Sequence, residues 1–414
     1  MPVLQGSRPR VVFVNRFFYP DHSATSQLLT DLASHLAEEG WDVHIVTSRQ
    51  RYDDPSVHLA GNELLHTVNI HRAWSFHFGR ARLVGRMLDY LSFYVTASWY
   101  MLRYVHRKNL LVAKTDPPLI GVLAMVVAKL KGAKLINWVQ DLFPETAQAL
   151  EVRMISGRFA RWLQKVRDIA LRSGRLNVVL GDHMARKIIS AGVSLERIHI
   201  IPNWSDGASV FPIEESQNPL REEWGLRGKF VIGYSGNIGR AHEFGTILAA
   251  AEKFKDDKDV VFLWIGGGAQ KRWLEFQFDE LGLKNWLFKP YQPRDLLAQS
   301  LSVADVHLVT LRPALEGFVV PSKFYGVLAA GRPTVFIGAR DGELANIIKR
   351  EGIGYVVEQG DNAALVNVLA ELKNNVGMQT EFRRRARKLF LEQYDRHKAV
   401  VAWDSALERV WITK

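Results

Sequence analysis

Short apolar runs rich in valine, isoleucine, leucine and phenylalanine recur along this chain, each parted from the next by a helix-length stretch. The first run is VVFVN (11–15), followed by an apolar-periodic segment to Glu39, then Gly40 and WDVHIVT (41–47). A strand, a helix begun by Thr25 or Ser26 and stopped by Gly40, and a second strand make a βαβ opening. Such an opening commits a chain to a parallel sheet covered by helices. Further strands are expected at 68–71, 110–114, 134–138, 177–179 and 198–201, with helices at 118–130, 155–173 and 183–191. Residues 205–220 (SDGASVFPIEESQNPL) hold two prolines and no periodicity, and read as a linker. A second series follows, with strands at 230–234, 260–265, 286–288, 306–310, 334–337 and 354–357. Its helices are expected at 244–255, 270–281, 293–300, 322–330, 341–350 and 361–373. A last helix at 377–411, broken near Tyr394-Asp395, is long enough to return to the first half.

A chain of 414 residues, 47% of them hydrophobic, can bury two cores and is not of disordered composition. Cysteine is absent, which removes disulfides, thiolate metal sites and a cysteine nucleophile. MPVLQGSRPR does not read as a secretory signal. The apolar run Leu119–Ala128 is too short for a bilayer, so no transmembrane helix is expected.

The formal charge of +11 is uneven: residues 1–205 carry 26 Lys and Arg against 16 Asp and Glu, and the remainder is nearly balanced. The surplus gathers in 80–108 and 153–175. In the first of these, Arg80, Arg82, Arg86, Arg103 and Arg107 flank Phe93, Tyr94, Trp99, Tyr100 and Tyr104. Amphipathic, aromatic-bearing helices with basic flanks suit peripheral contact with an anionic membrane. The same pattern also suits a helix whose leucines are core and whose arginines are solvated. No helix-turn-helix, zinc-finger or RNA-binding signature accompanies the charge, so nucleic acid is not the expected partner.

Two loops of the second series suit an anion. VIGYSGNIGRAHEFGTIL (231–248) is a strand, a glycine-bearing loop and a helix, so amides around Gly236 and Asn237 can face a phosphate. In PALEGFVVPSKFYGVLAAGRP (313–333), Ser322 and Lys323 open another helix, where amides, dipole and ammonium act together. Such a pair fits a diphosphate, and hence a nucleotide-activated donor. Gly266–Gly268 permit close backbone approach after strand 260–265. Asp141 and Glu145 follow strand 134–138 at the sheet edge that faces a crevice in parallel folds. There Asp141 can orient an acceptor hydroxyl or take its proton, and Glu145 can bind acceptor or act as base. The first βα junction lacks Gly-x-Gly-x-x-Gly, which argues against a nicotinamide enzyme.

Five segments stand in order over nearly the whole chain: Phe18-Tyr19-Pro20-Asp21, Trp138 to Glu145 (WVQDLFPE), Ile201-Pro202-Asn203-Trp204, Tyr234 to Gly239 (YSGNIG), and Pro321-Ser322-Lys323 through Gly331-Arg332-Pro333. In them the chain resembles the retaining GT-B glycosyltransferases of family 4. Within that family it resembles the bacterial branch that builds O-antigen and exopolysaccharide repeats, including N-acetyl-L-fucosamine transferases. The resemblance implies an α/β GT-B fold, two Rossmann-like domains facing a central cleft. The acceptor domain would be 1–205, the donor-nucleotide domain 206–394, and 395–414 a helix packing back on the first domain.

The implied reaction moves a sugar, N-acetylated or deoxy, from a UDP-sugar to a polyprenyl diphosphate-linked saccharide. It proceeds with retention and without metal or other cofactor. By position, Ser23 and Thr25 would close over the donor phosphates, and Asp116 would lie near the donor sugar, where relatives carry a histidine. Asn237, Arg240 and His242 occupy the region of the family's cationic Arg and Lys. Gly267, Lys289 and Tyr291 would border the nucleotide, and Ser322 with Lys323 the diphosphate. Glu316 matches the first carboxylate of a Glu-x7-Glu pattern; the second, which holds ribose, falls on Gly326. The implied place is the cytoplasm, peripheral on the inner face of the cytoplasmic membrane. The competing readings are a GT-B sugar-nucleotide 2-epimerase, which needs more carboxylates, and a non-catalytic nucleotide-sugar-binding subunit.

Overall fold

Strands whose every residue is buried, such as LLVAK (Leu110–Lys114) and VHLVT (Val306–Thr310), need cover on both faces, and two helix-covered parallel sheets supply it. The computed structural model describes residues 8–51, 57–76, 78 and 83–413. Arg80 and Arg82, and the side chain of Arg86, lie outside the described residues.

The first sheet holds β1 (Arg10–Val14), β2 (Asp42–Ser48), β3 (Asn62–Leu65), β4 (Val68–Ala73), β5 (Leu110–Lys114), β6 (Lys134–Trp138), β7 (Leu176–Val179) and β8 (Ile198–Ile200). Their order is β3-β4-β2-β1-β5-β6-β7-β8, and all pairs are parallel except β3 with β4. The sequence does not announce β3. Its residues NELL are mostly exposed at the sheet edge, so no burial pattern marks them. The helices of this unit that matter below are α1 (Ala24–Glu38), α2 (Leu83–Tyr104), α3 (Ile120–Lys131), α4 (Glu145–Ala149) and α5 (Gly157–Ser173).

The second sheet holds β9 (Phe230–Ser235), β10 (Val260–Ile265), β11 (Trp286–Lys289), β12 (Val306–Thr310), β13 (Thr334–Ile337) and β14 (Gly354–Val357). Its order is β11-β10-β9-β12-β13-β14, all parallel. That is the doubly wound order of a Rossmann fold, with reversal between β9 and β12; the first sheet reverses between β1 and β5. The architecture is α/β, a GT-B fold built of two Rossmann-like domains.

The chain divides into two compact units, one of residues 1–202 with 399–414 and the other of 203–398. The segment 205–220 is not a free linker. Ile213 N–H donates to Ser302 Oγ (3.1 Å), Arg332 donates to the Ile213 carbonyl (2.5 Å), and Arg387 donates to the carbonyls of Val210 (3.0 Å) and Gly207 (3.3 Å). Polar backbone that looks unpartnered in sequence is satisfied by guanidinium groups from far along the chain.

The helical end of the chain runs as Val376–Leu389, a π-turn at Phe390–Tyr394 and the helix Arg396–Ile412. On the last of these, Trp403 is fully buried in the first unit, its ring 4.6 Å from that of Trp138 on β6. Trp403→Ala is therefore expected to cost about 3–5 kcal/mol of stability, read by urea denaturation. A loss below about 1 kcal/mol would mean that this helix contributes little to the core.

Candidate active site

Two groups of side chains gather at the carboxyl edges of the sheets, one in each unit. In the second unit the loop 236–239 leaves β9, and the loop 266–268 leaves β10 beside it. A Cβ on Gly266 would lie 2.3 Å from the Gly236 carbonyl oxygen, and one on Gly268 would lie 2.5 Å from both Asn237 Oδ1 and the Ile238 carbonyl. Both glycines also have positive φ, +133° and +147°, so no other residue fits. The backbones are stitched together: Gly236 N–H donates to the Ile265 carbonyl (2.8 Å) and Ile238 N–H to that of Gly267 (2.7 Å). The Gly236 amide, expected to be open to a phosphate, is thus taken by the sheet. The amides of Asn237 and Gly239 make no hydrogen bond among the described residues and keep that capacity.

Lys323 lies against this loop. Its ammonium is 3.6 Å from the centre of the Tyr234 ring, donates to the Tyr234 hydroxyl, and is 3.4 Å from the Asn237 carbonyl and 3.5 Å from His242 Nε2. The Tyr234 hydroxyl gives its own proton to the Asn237 carbonyl (2.8 Å). His242 Nδ1 is 2.6 Å from the Thr310 carbonyl at the end of β12, which can only accept, so Nδ1 carries the proton and Nε2 presents a lone pair to Lys323. Burial, together with the Lys323 charge, drives His242 well below the ordinary histidine range. His242 is thus buried and neutral, a support for Lys323 and not a second cation. Burial also draws Lys323 well below the ordinary lysine range. The side chain remains partly open, so the cause is crowding near the surface and not enclosure in the core. The helix it opens has seven residues, which leaves the ammonium, more than the helix dipole, to attract an anion.

The remaining residues singled out in this unit part company. Arg240 is exposed and has no hydrogen bond or ion pair among the described residues. Ser322 begins the Lys323 helix without a side-chain cap bond. Lys289 sends its ammonium over the Trp224 ring (5.1 Å), while its carbonyl accepts the Gly266 N–H (2.9 Å). Tyr291 is exposed, its ring against the positions of Gly266 and Gly267 and its hydroxyl donating to the Gly267 carbonyl (3.2 Å). Glu316 accepts the Glu343 N–H (2.8 Å) at the start of helix Glu343–Glu351, so its carboxylate serves as a helix cap. At Gly326 a Cβ would meet Leu301 at 3.3 Å.

In the first unit, β5 and β6 deliver Asp116 and Asp141 to the edge next to the reversal. The Thr115 hydroxyl accepts the amides of Gln140 (3.0 Å) and Asp141 (3.3 Å), fixing one turn to the other. Crowding by the surrounding chain and the neighbouring Asp116 carboxylate push Asp141 up to about 6, against the pull of Lys114. Its carboxylate is open to water all the same.

Lys114 went unremarked in the sequence, where it is only the last letter of an apolar strand. It is wholly buried, 3.7 Å from the Trp138 ring centre, and donates to the Thr25 carbonyl (2.8 Å). Burial pulls it well below its ordinary range despite Asp116, Asp141 and Asp31 nearby. It thereby ties α1 to the acidic edge. Ser23 heads α1 with a buried hydroxyl that has no partner among the described residues. Glu145 is not available as a base: Arg167 of α5 holds it by two bonds (2.7 and 2.9 Å) and Gln164 by a third (3.0 Å). Among the described residues no three His, Asp or Glu side chains gather as a metal site.

Comparison with known proteins gives this geometry a chemical class. Residues 24–204 match the family model "Glycosyl transferase 4-like domain", and residues 216–389 match "Glycosyl transferases group 1". The protein is a glycosyltransferase with the GT-B fold. The transferase is similar to the putative colanic acid biosynthesis glycosyl transferase WcaI of Escherichia coli K12, 26% identical over 84% of this chain and 88% of that protein. It is also similar to the probable glycosyltransferase WbjE of Pseudomonas aeruginosa, 28% identical over 72% and 75%. Among solved structures it resembles Anabaena HepE, crystallised with UDP-glucose, with a TM-score of 0.72, 15% identity and coverage of 97% and 99%.

Two outcomes follow from the geometry. Gly266→Ala sets a Cβ against backbone and is expected to abolish transfer and lower the melting temperature, whereas Gly267→Ala, whose Cβ meets only the Tyr291 ring at 3.5 Å, is mild. Equal effects at the two positions would refute the close-approach argument. Asp141 has a pKa near 6 in the fold against an ordinary 3.8, so folding favours its protonated form. That preference is complete below the unfolded value and is lost as pH rises through the folded one. Asp141→Asn should therefore raise the melting temperature at about pH 8 and leave it nearly unchanged at about pH 4. An equal shift at both would show that ionisation is not the cause.

Proposed function

We propose that this transferase moves a sugar, an N-acetylated or deoxy hexose, from a UDP-sugar to a polyprenyl diphosphate-linked saccharide during bacterial surface polysaccharide synthesis. One observation carries the reading: an ammonium without a carboxylate partner among the described residues, Lys323, beside free loop amides at the reversal of a Rossmann sheet. A diphosphate fits that place. UDP as its carrier is supported by the UDP-glucose held in HepE, and the polysaccharide product by the name that WcaI carries. The surplus of positive charge in residues 1–205 suits an acceptor that is itself a lipid diphosphate.

On this reading the second unit takes the donor and the first takes the acceptor. Lys323 and the amides of Asn237 and Gly239 receive the charge that develops on the leaving diphosphate. Exposed Arg240 is free to join them. Asp141 orients the acceptor hydroxyl. Its oxygen bonds to the anomeric carbon on the face from which the diphosphate departs, and the hydroxyl proton passes to the departing phosphate. Configuration is retained with no enzyme nucleophile, and positioning and electrostatics do most of the work. The transferase would act peripherally at the inner face of the cytoplasmic membrane.

The test is product formation from a panel of UDP-sugars, led by UDP-N-acetylhexosamines and their deoxy forms, with membrane extract containing polyprenyl diphosphate-linked saccharide. The expected result is a new lipid-linked product with retained anomeric configuration. Lys323→Ala should lower kcat/KM by about two to three orders of magnitude. Transfer undiminished in Lys323→Ala, or an inverted product, would overturn the proposed chemistry.

A further inference from the structure

We propose that the outward face of α2, α3 and α5, with the aromatic side chains of Trp74, Phe76 and Phe78, is the surface by which this transferase rests on an anionic lipid bilayer. The inference deepens the proposed membrane-side reaction and rests on it for its purpose. It assigns a defined part of the first unit to lipid.

The connections β4–β5, β5–β6 and β6–β7 step across the sheet in one direction, so right-handed crossovers put all three helices on the same face. There α3 packs between α2 and α5. The inward side of α2, Phe93, Ala97 and Met101, is core. An amphipathic helix would be polar on the other side. Instead α2 exposes Leu88, Leu91, Val95, Trp99 and Leu102, with Val95 72% open to solvent. These positions recur every three or four residues, so they form one outward stripe.

The aromatic residues widen that stripe. Trp74 and Phe76 lie ring to ring (4.7 Å), and Phe76 and Phe78 likewise (5.4 Å). Three bonds lash their backbone to α2: Thr96 Oγ1 to the Trp74 carbonyl (2.6 Å), Phe76 N–H to Ser92 Oγ (2.9 Å) and Phe78 N–H to Asp89 (2.9 Å). All three aromatic side chains are nonetheless exposed, as are Val126 and Leu130 on α3 and Phe159 and Trp162 on α5.

Charge decides what covers the face. The three helices hold only two carboxylates: Asp89, which is buried, and Asp168, which is bound by Arg167. Among the described residues their exposed cations are Arg103, Lys129, Arg158, Arg161, Lys165 and Arg172. An apolar surface rimmed by one sign of charge suits a polyanionic sheet of lipid headgroups above acyl chains. A two-fold contact with a second copy would set these cations against themselves. No helix among the described residues is long and apolar enough to cross a membrane, so this face lies on the bilayer. Elsewhere, the exposed Trp273 and Phe276 sit on a helix that mixes Lys271 and Arg272 with Glu275, Asp279 and Glu280, and they serve as the control.

Flotation with vesicles tests the surface. The whole protein should float with phosphatidylethanolamine–phosphatidylglycerol vesicles and not with phosphatidylcholine alone. The combined variant Leu91→Ser, Val95→Ser, Trp99→Ser should float about tenfold less, and so should Arg158→Glu with Arg161→Glu. Phe276→Ser should float as the parent does. Circular dichroism and melting curves must show that each variant is folded. Unchanged flotation of both folded combined variants, or a parent that does not float, overturns the proposal. A parent dimer that the serine variant converts to monomer, with flotation unchanged, overturns it in favour of a second copy. Transfer to detergent-dispersed acceptor without flotation would sink the surface and spare the reaction. Flotation that depends on these residues without any transfer would do the reverse.

Discussion

Lys323 meets a phenol oxygen, a carbonyl and an imidazole lone pair, and no carboxylate among the described residues. Each partner accepts a hydrogen bond without cancelling the charge. The rest of the second unit's site is arranged around that condition. Tyr234 at the end of β9 offers its ring and its hydroxyl. Thr310 at the end of β12 fixes the His242 tautomer. Gly236, where a Cβ would stand 3.5 Å from Lys323, leaves the side chain room to lie along the loop. Strands on either side of the sheet reversal therefore converge on one ammonium, and a carboxylate in this place would make the cluster self-satisfied.

The first unit solves the corresponding position in the opposite sense. Its lysine, Lys114, is sunk beneath the edge against Trp138 and the Thr25 carbonyl, while the carboxylates of Asp116 and Asp141 occupy the rim. Two sheets with similar topology thus present contrasting chemistry at their carboxyl ends. Buried charge sets each character as much as exposed charge does. Lys114 offsets part of the burial and Asp116 repulsion that raise Asp141, and it anchors the start of α1, where Ser23 and Thr25 lie.

Much of this fold was legible because parallel strands are buried on both faces and read as unbroken apolar runs. Expected and observed bounds coincide for β5, β6, β10, β12, β13 and β14. Exposed β3 carried no such signal, and the polar run at 205–220 hid a segment held by Arg332 and Arg387. At the site, Lys323 and Asp141 stood out because each follows a recognisable turn signal at a strand or helix end. What the sequence concealed was partnership across long separations. Arg167 takes up Glu145 from twenty-two residues away, and Glu343 draws Glu316 into a helix cap over twenty-seven. Lys114 looked like the polar end of a strand, and only packing shows that it is enclosed.

The neutrality of His242 reaches beyond the histidine itself. Burial and the Lys323 charge together oppose a second proton on this imidazole, although the bond to Thr310 favours one, so among the described residues of the loop Lys323 carries the charge. A spent nucleoside diphosphate carries more negative charge than one ammonium balances, and solvent-facing groups such as Arg240 must meet the remainder. Contacts of that kind form and break quickly in water. On the proposed reaction, a single-cation cradle grips the product less firmly than a paired clamp would. On that reading, product departure, and with it the tempo of repeated turnovers, depends on the burial that keeps one imidazole uncharged.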